Sequence, residues 1–196
     1  MNEHYREPAV TEETYHGKIQ LPLSTCLLTD RTVFIEGEID DALAMDFLKE
    51  MMYFSKTDDE VNIYINSPGG KVDSGLIIYD VIQRATFPIN FYCVGMAGSM
   101  AAVILAGGQQ GRRYIFPHSK VMIHEPLISG GFGGSATSIK NTADSIIEVK
   151  NTVNGILAKH IGRDIEEINK ATNYDNFMNA KEAVEFGICD EIRINL

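Results

Sequence analysis

The sequence predicts an α/β fold with a mainly parallel sheet, and three observations carry that prediction. From residue 32 onward, short β-branched and aromatic runs alternate with segments of helical periodicity, and such alternation implies right-handed parallel crossovers. The chain has 196 residues, of which 44% are apolar, enough for one sizeable core. The run from 85 to 111 carries no charge, yet Pro88, Asn90, Ser99 and several glycines interrupt it. A buried strand followed by a buried helix explains that run better than a membrane span.

Taken in order, TVFIEGEI (32–39) has the composition of a strand, and DDALAMDFLKEMMYF (40–54) repeats apolar residues at Leu43, Phe47, Met51 and Phe54 as a helix does. VNIYINS (61–67) is a strand, SPGG (67–70) a turn, and VDSGLIIYDVIQRA (72–85) a helix. INFYCVG (89–95) is the next strand, and SMAAVILAGG (99–108) a helix closed by glycines. Two short strands follow, RYIFP (113–117) and KVMIHEP (120–126), then a glycine-rich segment, LISGGFGGSA (127–136), of no assigned state. From Thr137 to Ile161 one apolar stripe runs through Ile139, Ala143, Ile146, Val149, Val153, Ile156 and Leu157. That helix would be about 37 Å long, long enough to outreach a small globule and pack on another subunit. A short helix (164–171), a loop through Tyr174 and Asp175, a helix (179–187) and a strand (188–194) complete the chain. Residues 1–17, acidic and without an apolar face, are expected to be a mobile arm, and 18–196 a single domain.

A formal net charge of −10 argues against nucleic acid or an anionic membrane surface as the main partner, since both need a basic patch. The three cysteines, Cys26, Cys93 and Cys189, lie far apart with no zinc spacing. They read as free thiols in a reducing, cytoplasmic compartment. No metal site is expected, because His118 and His124 lack a third ligand at suitable spacing.

The stretch GMAGSMAA (95–102) contains one hydroxyl, Ser99, between a strand and a helix. Two roles fit it: a helix N-cap, or a nucleophile presented on a tight turn with the Met100 N–H as an oxyanion donor. SPGG lies one βα unit earlier, so Gly70 can reach the same sheet edge and offer a second N–H. Of the five histidines, only His124 ends an apolar strand, which makes it the candidate base. Asp175, Asp73, Asp80 and Glu125 are all candidates for the carboxylate that would orient it.

The combination INSPGG, the glycine turn into SMAA, LAGG, RRYIFPHSKVMIHEPL and YDNFMNAKEAVEFGICDEI resembles the proteolytic subunit of the caseinolytic (Clp) protease, the ClpP family, over roughly residues 30–193. The resemblance implies a ClpP/crotonase-like ββα spiral core with a protruding handle helix. It implies a serine endopeptidase with Ser99 as nucleophile, His124 as base and Asp175 as orienting acid, and with an oxyanion hole from the backbone of Gly70 and Met100. It further implies seven-membered rings stacked in pairs around a chamber, and a hexameric Clp-class AAA+ ATPase that feeds in unfolded polypeptide. ATP is then used by that partner, and this chain needs no cofactor.

The chain departs from the family pattern at several places. The arm lacks the apolar segment of the family's pore loops, Glu125 stands where glutamine is usual, and the glycine-rich segment is about two residues longer. Asn173 and Tyr174 replace an Asp-Arg pair that links stacked rings, which points to a specialised paralogue that needs a second subunit type. Two other readings remain beside the protease: a ring component whose triad never assembles, and a crotonase-type enzyme acting on acyl-CoA, which needs no serine.

Overall fold

The computed structural model describes residues 7–15, 17–128 and 133–195. Among these, a seven-stranded sheet forms the centre of the molecule, with strand order β3-β4-β5-β6-β9 and with β7 joining β5 to β8. Its strands are β3 (Thr32–Ile39), β4 (Val61–Gly70), β5 (Ile89–Gly98), β6 (Arg113–Ile115), β7 (Lys120–Ile123), β8 (Asn176–Asn179) and β9 (Glu191–Ile192). All pairings within it are parallel except β7 with β8. The predicted α/β class with a mostly parallel sheet is the class observed.

The helices cover the sheet because their apolar residues recur on one side. In α2 (Asp41–Phe54), Asp40 caps the first turn by accepting from the Leu43 N–H at 2.9 Å, and Ala44, Phe47, Met51 and Phe54 are buried. Helix α3 (Val72–Arg84) buries Ile78, Tyr79 and Ile82, and α4 (Met100–Ala106) is buried throughout. Ile35, Ile63, Ile65, Phe91, Ile104 and Leu105 are fully buried between them, each contributing roughly 1.5–3 kcal/mol by its removal from water.

Helix α5 (Ala136–Ile161) is 26 residues long, close to the predicted span. It is about 39 Å from end to end. Only Val153, Asn154 and Leu157 are buried, so its first half projects beyond the globule with Ile139 and Ile147 exposed. Its ends are set by Ser135, which accepts from the Ser138 N–H, and by Gly162 in the left-handed conformation. Helix α6 (Ile165–Thr172) packs beside it, and α7 (Ala180–Phe186) packs against β7, β8 and β9.

Several elements differ from the expectation. SPGG continues β4 instead of leaving it, and Pro68 is tolerated because the pairing shifts register on both sides, between Ile65 and Ser67 and between Glu36 and Glu38. Strand β5 likewise runs past Gly95 to Gly98, pairing first with β6 and then with β7. Gly95 (φ 81°) therefore lies inside the strand, four residues before Ser99. The last strand shrinks to two residues, and β8 was not expected. Near the N-terminus, β1 (Ala9–Thr14) and β2 (Gly17–Pro22) form an exposed antiparallel hairpin across the expected boundary at residue 17, followed by α1 (Leu23–Thr29). Residues 1–6 and His16 of the arm, and 129–132 of the glycine-rich segment, lie outside the described residues. The uncharged run becomes β5 and α4, and among the described residues no helix is long and apolar enough to cross a membrane.

Candidate active site

Ser99 alone connects β5 to α4, and a turn that short needs a backbone conformation L-residues rarely adopt. Its φ of 51° and ψ of −121° lie there, at a cost of order 1–3 kcal/mol that the surroundings must support. They do so from both sides: the Ser99 N–H donates to Met122 O at 2.7 Å, and Ser99 O accepts from the Ala102 N–H at 3.0 Å. The side chain does not cap α4. Instead Oγ lies 2.9 Å from His124 Nε2, so the N-cap role is not the one observed.

The sheet brings His124 there. The end of β5 pairs with β7, Gly98 opposite Met122, and His124 is the first residue beyond β7. β8 then runs antiparallel to β7 with Ile123 opposite Asn176, which sets Asp175 opposite His124. His124 Nδ1 is 3.1 Å from Asp175 Oδ1. The imidazole side chain is 16% exposed and the carboxylate 63%. Because a carboxylate only accepts, the neutral imidazole carries its proton on Nδ1 and leaves the Nε2 lone pair to accept from the Ser99 hydroxyl. Asp80 and Glu125 are paired elsewhere, with Arg84 and Lys150, and Asp73 lies on the first turn of α3.

Glycines make room for this arrangement. A Cβ on Gly69 (φ 97°) would sit 2.7 Å from Ser99 Cβ and 3.0 Å from the Met100 nitrogen, and one on Gly70 would meet Ile39 O at 2.2 Å. Gly69 thus packs against the serine turn with no room for a side chain, and its positive φ is not legible in SPGG. Ser67 holds the segment, its Oγ donating to Gly37 O at 2.6 Å and accepting from the Gly69 N–H at 3.1 Å. The Lys71 N–H donates toward β3, to Ile39 O at 2.8 Å.

A pocket of about 20 Å³ opens beside Ser99 and His124, walled by the apolar side chains of Val72, Val103, Ile123, Pro126, Val153 and Leu157. Next to it a wide groove of about 870 Å³ runs between residues 126–128 and the first half of α5, with Lys71 and Asp73 on its rim.

The remaining candidate residues lie elsewhere. His118 is exposed on a turn. His160, on the last turn of α5, is half-buried: its Nε2 is 2.9 Å from Tyr79 Oη, and burial, with Lys159 and Arg113 nearby, pushes its pKa down. His4 and His16 lie outside the described residues. Cys93 and Cys189 are buried, and burial pushes the Cys93 thiol up to about 12. Asn173 ends α6, and Tyr174 is 86% exposed. Among the described residues no group of three or more His, Cys, Asp or Glu side chains could hold a metal ion.

In a comparison with known families, the family model described as Clp protease matches residues 16–195 of this chain.

Proposed function

The chain belongs to the Clp protease family, and from that premise we propose that it is a serine endopeptidase acting through Ser99, His124 and Asp175. The observation that carries this reading is the continuous hydrogen-bonded series from Ser99 Oγ through both ring nitrogens of His124 to Asp175. In it, His124 Nε2 takes the hydroxyl proton as Oγ attacks a peptide carbonyl, and Asp175 holds the ring and stabilises the imidazolium that forms. The N–H groups of Gly70 and Met100 receive the negative charge that develops on the carbonyl oxygen. Protonated His124 then donates to the leaving amine, the acyl group stays on Ser99, and water drawn by the same histidine releases it. The small apolar pocket favours a compact apolar side chain at the residue whose carbonyl is attacked, and the groove accepts extended polypeptide.

Stacked heptameric rings fit an α5 whose first half lies outside its own globule with apolar residues exposed. A hexameric Clp ATPase supplies unfolded chains to the enclosed sites and spends the ATP, so this chain acts without a cofactor, in a reducing cytoplasm.

Ser99→Ala tests the proposal. It removes the nucleophile and should abolish hydrolysis of short fluorogenic peptides, by up to about 10⁶-fold on the scale of a dismantled triad, while leaving ring assembly intact by native mass spectrometry. An active Ser99→Ala protein would favour crotonase-type chemistry, which uses glycine N–H groups but no serine. A second reading rests on Tyr174: its exposed neutral ring and Asn173 cannot form a charged link to a facing ring, so the chain works in a particle shared with a second ClpP paralogue. Native mass spectrometry of the purified chain distinguishes the two, because a fully active fourteen-subunit particle would exclude the second.

A further inference from the structure

The ladder between β7 and β8 ends at Ile123 and Asn176. His124 and Asp175 each lie one residue beyond that pair, so the last rung of the sheet does not itself fix the two residues that must meet. A further hold on them comes from outside the sheet. The Glu125 N–H donates to Thr172 O at 2.7 Å, across the gap between the strand carrying His124 and the helix from which Asp175 departs. Each side of that link is tied to α5. Lys150 Nζ donates to Glu125 Oε2 at 2.6 Å, and Asn154 Nδ2 donates to Thr172 Oγ1 at 3.1 Å and to Asn169 Oδ1 at 2.7 Å. Lys150 and Asn154 are one turn apart and so share a face of the helix.

We propose that Glu125 and Lys150 are a positioning pair for hydrolysis: the ion pair lets α5 hold the residue after the base, while Asn154 on the next turn holds the helix end that precedes Asp175. This inference rests on reading Ser99, His124 and Asp175 as the catalytic site. With the Lys150 side chain 27% and the Glu125 side chain 39% exposed, the pair is screened less than a surface ion pair, whose contribution is close to nothing. Neither residue touches the reacting atoms. They act by placing His124, and a misplacement of about 1 Å in such a group can cost 100-fold in rate.

The test uses the assembled full-length protein with a short fluorogenic peptide. Lys150→Met keeps the stem against the helix, removes the charge and strands the Glu125 carboxylate. It should lower kcat at least tenfold with KM within about twofold of wild type, because the groove is untouched. Exchanging the charges, Glu125→Lys with Lys150→Glu, should recover most of the loss. Amide hydrogen exchange of the intact particle should be faster in Lys150→Met over 121–127 and 170–176, and restored by the exchange of charges. Should Lys150→Met fail to assemble, Lys150→Gln carries the same test with the same expected direction. Unchanged kcat, no rescue by the swapped pair, or unchanged exchange in both segments would each overturn the proposal. A wild-type protein both inert to the peptide and unlabelled at Ser99 by a fluorophosphonate would instead overturn the hydrolase reading, and the exchange measurement would still decide whether α5 holds these segments.

Discussion

Replacing Gly69 by alanine should disable the site while leaving the fold in place. The added methyl would start 2.7 Å from Ser99 Cβ and 2.8 Å from Gly98 O. Carbon atoms in contact rest at about 3.5–4.0 Å, so the serine turn or the Gly69 backbone has to move by about 1 Å. Neither neighbour is the end of a flexible side chain. Gly69 also holds φ at 97°, which adds strain of order 1–3 kcal/mol for any residue with a Cβ. In a chain of this length each kcal/mol lowers the melting temperature by about 2–4 °C, so the variant stays folded at 25 °C. A serine displaced by about 1 Å loses about 100-fold in kcat. The assay is initial-rate hydrolysis of a short fluorogenic peptide with kcat and KM resolved, beside a thermal melt. Gly155→Ala is the control: on α5, its methyl would meet nothing within 4 Å, so the rate should hold while the helix gains about 1 kcal/mol. A Gly69→Ala protein with kcat within threefold of wild type would refute the reasoning.

Asp190→Asn should destabilise the chain by about 3–5 kcal/mol in chemical denaturation, because it breaks a buried pair and leaves the Arg113 charge uncompensated. Asp190 accepts from Arg113 Nε and Nη2 and from the Gly111 and Arg113 N–H groups. Burial pushes the Asp190 carboxyl up, but these bonds and the Arg113 charge outweigh it and hold it below the ordinary aspartate value. Its contribution is therefore complete above the unfolded pKa of about 4 and is lost as the pH falls through the lower folded value. The gap between wild type and Asp190→Asn should close in that acid range, and a gap independent of pH would contradict this account. A thiol reagent at pH 8 should modify at most one cysteine, Cys26, in the native protein and all three after unfolding, since burial raises the Cys93 and Cys189 pKa values far above the assay pH; native modification of Cys93 would show that the core is open. Finally, Asn173→Asp with Tyr174→Arg should strengthen ring pairing by native mass spectrometry if the chain alone pairs weakly, and no change would remove that expectation.

The strands and helices around the core could be read from the sequence because their apolar spacing is strong: Ala44, Phe47, Met51 and Phe54 in α2, and the β-branched runs of β4 and β5. β8 could not, because NFMN is short and polar and is a strand only through its pairing with β7. That same pairing sets Asp175, and not Asp73, Asp80 or Glu125, beside His124, a juxtaposition that spacing along the chain does not give. Helix α1 buries nothing and leaves no periodic trace. Gly69 and Gly95 were hidden for another reason: what distinguishes each is a positive φ set by strands far away in sequence.

The central claim, that Ser99 is made nucleophilic by His124 in this fold, is tested most directly by covalent labelling. Native protein incubated with a fluorophosphonate and mapped by peptide mass spectrometry should carry one adduct, on Ser99, lost in His124→Ala and after unfolding. A native protein without an adduct at Ser99, or one that labels equally fast in His124→Ala, would contradict the account.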